Sequence, residues 1–317
     1  MIKQIIKSII DPKKVALQKF EANYLQPLDG TRPAYTSPVI MGQEGNDLFY
    51  KIVAEGKPLM ATRFGNVELR VIMNYLNLAR KKKTYWHPHV MTYIFRLNHL
   101  FPPTNQSLEK FAQLYLEEIK GIDVLGAWYN KGEEELQARY FPSATILDLL
   151  CYESFFFNHP WSRILENKKV LVIHPYSASI EKQYKERRNL LFANNEVLPV
   201  FDLQTCKPFN SYTDNITPGR SWFDELDIMK AGIGKYEFDI ALIAAGPFGL
   251  PLAGHVKRMG KQAIHIGGAL QLFFGIKGQR WESMEQGKFF NEQWVRPSSN
   301  EMPQADIRKK VDDNSYW

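Results

Sequence analysis

The segment from Lys168 to Gly267 alternates short apolar runs with amphipathic stretches, and this alternation restricts the fold more than any other feature of the sequence. Three runs are typical of strands buried on both faces: Val170–His174, Asp239–Ala245 and Ala263–Gly267. A fourth run, Val197–Phe201, contains a proline, which favours the edge of a sheet. The stretches between them show helical periodicity. Strands that alternate with helices require right-handed crossovers, so the sequence predicts an α/β fold with a doubly wound, mainly parallel sheet.

The first half of the chain shows a similar but weaker pattern. Leu59–Thr62 is predicted as a short strand, and Asn66 as the N-cap of a helix that continues to about Asn77. Residues 107–120 are predicted as another helix and Ile122–Gly126 as another strand. Strands are therefore expected on both sides of the middle of the chain.

The flanking segments differ from this α/β region. Residues 11–45 contain four prolines and little periodicity, which indicates an extended arm. We therefore expect an amphipathic helix and arm over residues 1–50 and an α/β domain over residues 51–290. That domain has a candidate division into halves at residues 51–165 and 166–290. Residues 291–317 form a C-terminal tail.

Charge and composition limit the classes of ligand. The chain carries 40 basic and 34 acidic residues, a formal charge of +6, which favours anionic ligands but is also what a well-solvated surface shows. The basic residues are too dispersed to indicate nucleic acid. Cys151 and Cys206 are the two cysteines, with no paired spacing for a metal or redox site. We expect no NAD, haem or zinc, since a dinucleotide fingerprint is also absent.

The first ten residues place Ile2, Ile5, Ile6 and Ile9 at helical spacing, with lysines between them. This apolar stretch is too short for a signal peptide or a membrane span. Two interpretations remain: an amphipathic helix on an anionic membrane, or a terminal helix packed on the protein's own core. The expected location is the cytoplasm, with peripheral contact at the inner face of the membrane under the first interpretation.

Ligands of an open parallel sheet bind outside the carboxyl ends of its strands. The first such end carries Arg63, Gly65, Asn66 and Glu68. We expect Arg63 to bind phosphate through two parallel hydrogen bonds and Gly65 to let the backbone approach a ligand. Glu68 could hold a divalent metal ion or act as a base. A structural role for Glu68, in a salt bridge or against the helix dipole, is the alternative.

Three further predicted strand ends carry polar or glycine residues. Each turn taken alone is more typical of tight packing than of binding, but four at one sheet edge favour a nucleotide site. Free backbone N–H groups at a helix start bind anions, and closely spaced glycines admit a nucleotide. The candidate binding residues in these three turns are His174, Ser177, Gly246, Pro247, Gly249, His265, Gly267 and Gly268.

Two other polar clusters are weaker candidates. His87 and His89 would share one face of a strand, but two histidines without a third ligand rarely bind a metal. The basic run at residues 80–83 is typical of a solvated helix end and could also reach lipid headgroups.

The segment Ala61–Glu68 resembles the RFGDGE signature of the GT-D-type glycosyltransferases, formerly a domain of unknown function. The closing part of those proteins is also similar: a Gly-Pro turn after an apolar strand, then Gly260–Gly267, then a tryptophan such as Trp281. The resemblance covers roughly residues 50–281 and is dense only at these two ends.

The resemblance implies a Rossmann-like fold that binds a nucleotide-sugar and transfers its sugar to a glycan or lipid-linked acceptor of bacterial surface polysaccharide. The family's acidic pair, an Asp-x-Glu associated with Mn²⁺ or Mg²⁺, maps onto Asn66 and Glu68. Asn66 departs from this pattern, so the site could work without a metal, with Arg63 neutralising the leaving diphosphate. The alternatives are pyruvyl or phosphosugar transfer, or a non-catalytic nucleotide- or glycan-binding module of a polysaccharide assembly complex.

Overall fold

The computed structural model describes residues 34–81, 84–96, 98, 100–210, 213–304, 308 and 316–317. Within these residues, eight strands form one sheet in the order β1-β4-β3-β2-β8-β7-β5-β6, and every strand pair is parallel. The predicted α/β fold with a doubly wound parallel sheet is confirmed. The predicted amphipathic helix over residues 1–10 lies outside the described residues.

The strands are short, as is usual when both faces of a sheet are covered. Their bounds are β1 Val39–Ile40, β2 Leu59–Thr62, β3 Val124–Ala127, β4 Thr145–Asp148, β5 Lys169–Ile173, β6 Asp202–Cys206, β7 Ile240–Ile243 and β8 Gln262–His265. All residues of β2, β3, β7 and β8 are buried, which explains why these strands are mainly apolar in the sequence.

The helices and short 3₁₀ turns connect these strands. The α-helices in the described residues are α1 Gly42–Ala54, α2 Asn66–Ala79, α3 Pro88–Arg96, α4 Asn105–Glu118, α5 Glu133–Tyr140, α6 Ser177–Leu191, α7 Trp222–Ile233, α8 Gly249–Arg258, α9 Leu270–Phe273 and α10 Gln279–Glu282.

Two apolar clusters cover the two faces of the sheet. One face buries side chains of α2, α4, α7 and α8, among them Ile72, Phe111 and Leu252. The other face buries side chains of α1 and α6, among them Phe49 and Ile180. Because both faces are covered, the strand ends are the part of the sheet that remains open to a ligand. No helix among the described residues has the length and apolarity needed to cross a bilayer.

The strand predicted at Val197–Phe201 was wrong, since the strand beside β5 is β6, Asp202–Cys206. Pro199 has no N–H for a strand ladder, and the hydroxyl of Tyr184 donates to its carbonyl at 3.1 Å. Val197 and Leu198 still fill the core. The real strand is a half-exposed edge strand, and for that reason it lacks the apolar run by which a buried strand is recognised.

Several predicted boundaries also differ from the structure. The described part of the expected extended arm contains β1 and the start of α1. Asn66 is the first helical residue of α2, and the N-cap is Gly65. His89 lies in α3 rather than in a strand. The predicted domain boundary between residues 50 and 51 falls inside α1, and the division of the chain into domains stays a prediction.

Candidate functional site

The four turns selected from the sequence follow four neighbouring strands. In the sheet, β2, β8, β7 and β5 lie side by side, and Ile264 of β8 pairs with Ala61 of β2 and with Leu242 of β7. Neighbouring strands lie about 4.8 Å apart, so the four turns form one continuous edge. This is the carboxyl edge, where open parallel sheets bind their ligands.

Arg63 lies in the turn after β2 and spans three loops. Its guanidinium Nη1 donates to the carbonyl of Phe64 at 2.9 Å, and its Cζ lies 4.6 Å from the ring centroid of Trp128, which is 40% exposed. A Cβ at Gly267, whose φ is +77°, would lie 3.2 Å from Nε. The guanidinium is therefore held in place, and its buried Nε has no acceptor among the described residues.

Glu68 lies in the first turn of α2 and folds back over Gly65. A Cβ at Gly65 would lie 2.6 Å from Oε1 of Glu68 and nearer still to Oε2, so a side chain at position 65 would displace this carboxylate. The Glu68 side chain is 7% exposed. A carboxylate at a helix start interacts favourably with the helix dipole, which is the structural role considered from the sequence.

Asn66 is oriented by a buried chain of hydrogen bonds from the loop after β3. The carboxylate of Glu133 accepts hydrogen bonds from Asn130 Nδ2 at 2.8 Å and from the backbone N–H of Trp128 at 3.0 Å. Asn130 therefore turns its Oδ1 toward Asn66, whose Nδ2 donates to it at 2.9 Å. This arrangement leaves Oδ1 of Asn66 to accept from, or coordinate, a ligand. Burial raises the pKa of Glu133, and its hydrogen bonds offset part of that rise.

His265, the last residue of β8, is a buried part of the framework. Its Nδ1 lies 2.9 Å from Oγ1 of Thr62 at the end of β2. Its ring packs against Gly249, where a Cβ would lie 2.6 Å from the ring carbon Cδ2. Burial and the charge of Arg63 lower the pKa of His265 to about 3, so the ring is neutral at neutral pH. His265 and Gly249 fix the turns after β8 and β7 relative to each other.

The turn after β7 combines an exposed glycine with a tethered proline. Gly246 has a φ of +51°, and a side chain there would meet nothing within 4 Å. The hydroxyl of Tyr115 donates to the carbonyl of Pro247 at 2.5 Å. Burial raises the pKa of Tyr115 well above its usual range, and the charge of Glu68 adds to the rise. Tyr115 therefore ties this turn to α4.

The turn after β5 is filled by the protein itself. His174 is buried, and its Nδ1 accepts a hydrogen bond from Tyr176 N at 2.9 Å. The N–H groups that follow Ser177, those of Ala178 and Ser179, donate to the carboxylate of Glu301 at 2.8 and 3.2 Å. A phosphate at this helix start would have to displace Glu301. The assignment of His174 and Ser177 to a nucleotide stays a prediction.

The C-terminal residues lie over the turn after β8. A Cβ at Gly268 would lie 3.3 Å from Cδ1 of Tyr316. The hydroxyl of Tyr316 accepts a hydrogen bond from Nη1 of Arg280 at 3.1 Å. The described C-terminal residues thus contact the β5 and β8 side of the edge.

Sequence reasoning missed most residues that support this edge. They reach it from elements distant in the chain or from loops without a recognisable motif. These residues are Tyr115, Trp128, Asn130, Glu133, Glu153, Arg280 and Glu301. Trp128 and Asn130 carried one usable signal, since they directly follow a predicted strand.

Metal-binding chemistry is limited in the described part of the chain. No three His, Cys, Asp or Glu side chains converge there as a cation site. His87 and His89 stack on each other with ring centroids 5.5 Å apart. They do not share a strand face, since His89 belongs to α3. Glu68 and Asn66 offer one carboxylate and one amide oxygen. Such a pair fits a cation that takes its other ligands from substrate phosphates and water.

Comparison with known proteins gives matches in structure only. No family model and no curated protein matches the chain. Two structures of domain of unknown function 1792, one described as having a distinct glycosyltransferase fold, align over 84% of this chain and 94% of their own, with 12% and 11% identity and TM-scores of 0.38 and 0.37. A structure described as a new glycosyltransferase of the same domain type, from Streptococcus sanguinis, aligns over 83% of this chain and 96% of its own, with 10% identity and a TM-score of 0.32.

These matches are to the kind of protein that the Ala61–Glu68 motif suggested, and they extend over most of the chain. At such identities and TM-scores they assign no donor, acceptor or site residue. The function is therefore best argued from the chemistry of the carboxyl edge.

Proposed function

We propose that this protein is a glycosyltransferase that moves a sugar from a nucleotide-sugar to a hydroxyl group of a glycan or lipid-linked acceptor in bacterial surface polysaccharide synthesis. The observation that carries this proposal is Arg63, a fixed guanidinium with an unpartnered buried Nε in the middle of the carboxyl edge. A nucleotide-sugar leaves a diphosphate behind, and stabilising that developing charge is the main electrostatic demand of the reaction.

Arg63 is assigned to the donor diphosphate. A guanidinium presents two donors in one plane, which matches two phosphate oxygens, and its packing on Trp128 limits its rotation. Because the side chain is already ordered, little conformational entropy is lost when the diphosphate binds. The neighbouring Gly267 provides the space that a guanidinium in this position needs.

The nucleoside and the sugar are assigned to the adjacent turns. Gly246, with open space at its Cα, lets a ring lie against the backbone of the turn after β7. Gly249 and His265 support that turn from below. Pro247, held through its carbonyl by Tyr115, limits the turn to one conformation.

A divalent cation, Mn²⁺ or Mg²⁺, would be held by the carboxylate of Glu68 and Oδ1 of Asn66, with the diphosphate supplying the remaining oxygens. The cation would neutralise charge on the leaving group. Without it, Arg63 and the N-terminal amides of α2 provide that neutralisation. The acceptor is expected at the cytoplasmic face of the membrane if it is lipid-linked.

Turnover of a panel of nucleotide-sugars tests the proposal. We expect release of free nucleoside diphosphate, faster with an acceptor glycan present. Arg63→Lys keeps the charge and removes the planar fork, so binding of uridine diphosphate, measured by calorimetry, should weaken at least tenfold. Arg139→Lys, at an exposed position of α5, is the matched control and should change nothing. Binding without turnover of any donor would favour the non-catalytic module instead.

A further inference from the structure

Glu153 is a buried carboxyl group at the carboxyl edge of the sheet that the proposed function has not used. It follows the 3₁₀ turn Leu149–Tyr152 at the carboxyl end of β4. In that turn, the hydroxyl of Tyr152 lies 3.1 Å from the carbonyl of Thr62, at the end of β2, and 3.2 Å from that of Val124. The backbone leading into Glu153 is thereby tied to the strand end from which Arg63 extends.

The surroundings of Glu153 are unusual for a buried acid. The side chain is 7% exposed, and its Oε2 accepts one hydrogen bond, from Nε2 of Gln286 at 2.9 Å. No cation of the described residues lies within ion-pair distance of it, and none of those residues donates a hydrogen bond to its Oε1. Buried carboxylates normally have an ion pair or several donors, so the charged form of Glu153 is poorly compensated.

Charges at longer range act on this carboxyl from three elements. Burial raises the pKa of Glu153 to about 7. The hydrogen bond from Gln286 and the positive charges of Arg280 and Arg63 lower it, while the negative charge of Asp148 raises it. An acid that titrates near neutral pH can take up a proton during turnover and release it again.

We propose that Glu153 is the general base that accepts the proton of the acceptor hydroxyl. This inference rests on the proposed function. In the step, the acceptor O–H proton moves to Oε1 of Glu153 as the acceptor oxygen forms a bond to the anomeric carbon. The bond from that carbon to the diphosphate oxygen breaks, and its electron pair leaves on the diphosphate, beside Arg63. The step is a single displacement, so the anomeric configuration inverts.

Glu68 is less suited to the same task. Its carboxylate lies against Gly65, two residues from Arg63, the residue assigned to the leaving diphosphate. Glu68 is then assigned to the diphosphate leaving group, and Glu153 to the acceptor hydroxyl. The two carboxyl groups thus have separate roles set by their surroundings.

The pH dependence of turnover separates a base from a structural residue. With the best donor of the panel and an acceptor glycan, kcat/KM should rise with pH through a limb near pH 7. Gln286→Leu removes the donor that stabilises the carboxylate, so the limb should move to higher pH. Asp148→Asn removes the like charge, so the limb should move to lower pH. Limbs that stay unchanged in both variants would overturn the assignment.

Direct substitution gives the second test. Glu153→Gln should lower kcat by about 10²–10⁴ while the Kd for uridine diphosphate stays within about twofold. Glu285→Gln is the control. Glu285 precedes Gln286 in the chain, but its side chain is exposed and pairs with Lys288. Near wild-type kcat in Glu153→Gln, or a product with retained anomeric configuration, would refute the role of Glu153 and leave the proposed function standing. Failure of the wild type to turn over any donor would refute both.

A measurement without substrate covers the case in which a variant folds poorly. The folded-state pKa of Glu153 lies above its unfolded value, so this group's contribution to stability is full below pH 4.5 and is lost as pH rises through about 7. The urea midpoint of Glu153→Gln should therefore exceed that of the wild type at pH 8 and approach it at pH 5. If the difference in urea midpoint between Glu153→Gln and the wild type were the same at both pH values, the inferred protonation state of the carboxyl would be wrong.

Discussion

Gly249, the first residue of α8, packs so closely on His265 at the end of β8 that a Cβ at position 249 would lie 2.6 Å from the ring carbon Cδ2. The same imidazole is held by Thr62 through Nδ1 at 2.9 Å. A glycine, an imidazole and a hydroxyl from three turns therefore fix the middle of the carboxyl edge. The sequence suggested Gly249 as a nucleotide contact, whereas the structure shows its close packing within the framework.

The first prediction follows from this packing. Gly249→Ala should lower the free energy of unfolding by about 1–3 kcal/mol, because His265 must move away from Thr62. Gly232→Ala, in α7 with no atom within 4 Å of the added Cβ, should instead raise it by about 0.4–1 kcal/mol. Urea denaturation measures both. If Gly249→Ala stabilised the protein as much as Gly232→Ala, the imidazole of His265 would be free to move.

The second prediction concerns acid stability. Burial lowers the pKa of His174 to about 3, far below its ordinary 6.5. Below about pH 6.5 the imidazole is therefore protonated in the unfolded chain and still neutral in the folded protein. The free energy of unfolding should fall as pH drops below that value, by up to about 1.4 kcal/mol per pH unit for each such histidine. His265 adds a second contribution of the same sign.

His174→Asn isolates one of these contributions. The amide oxygen can still accept the Tyr176 N–H that the imidazole Nδ1 now accepts, and the asparagine does not titrate. The slope of the free energy of unfolding against pH, between pH 6 and pH 4, should decrease relative to wild type by the amount that corresponds to about one bound proton. An unchanged slope would mean that His174 is protonated in the folded state.

The third prediction concerns Glu68 and Asn66. Glu68→Gln keeps the size of the side chain, so its effect on stability should stay within about 0.3–1 kcal/mol, as for a helix-dipole interaction. If the carboxylate acts on the leaving-group side, turnover should fall by about 10²–10⁴. Asn66→Asp restores the acidic pair of the resembled motif and should increase the dependence of turnover on Mn²⁺. Near wild-type turnover in Glu68→Gln would leave Glu68 only a structural role against the helix dipole.

The fourth prediction concerns the carboxylate that fills the start of α6. Glu301→Ala should cost about 0.5–2 kcal/mol of stability, as expected for loss of a capping carboxylate. It should also free the N–H groups of Ala178 and Ser179, so pyrophosphate should bind more tightly than to wild type in calorimetry. Glu292→Ala, an exposed position in the same C-terminal region, is the control. Unchanged pyrophosphate affinity would exclude this turn as an anion site.

The buried strands could be predicted from the sequence because a strand covered on both faces is mainly apolar along its length. This is why β5, β7 and β8 were located to within about two residues, whereas β6, a half-exposed edge strand, was missed. The same reasoning placed Arg63 and Gly246 in turns at strand ends and His265 near the end of a strand. Since parallel strands end at the same edge, their shared location could be expected before their neighbours were known.

The sequence by itself determined the class of fold and the strand ends on which a site could be built, since both depend on local patterns of apolar, glycine and polar residues. Only the tertiary structure decided what each side chain does there. Glu301 reaches Ala178 across 123 residues of chain, and Glu153 meets Gln286 across 133. Hydrogen bonds and charges act over a few ångströms of space whatever the separation along the chain. A residue's pKa and partners therefore follow from the packing of distant elements, which no local pattern records.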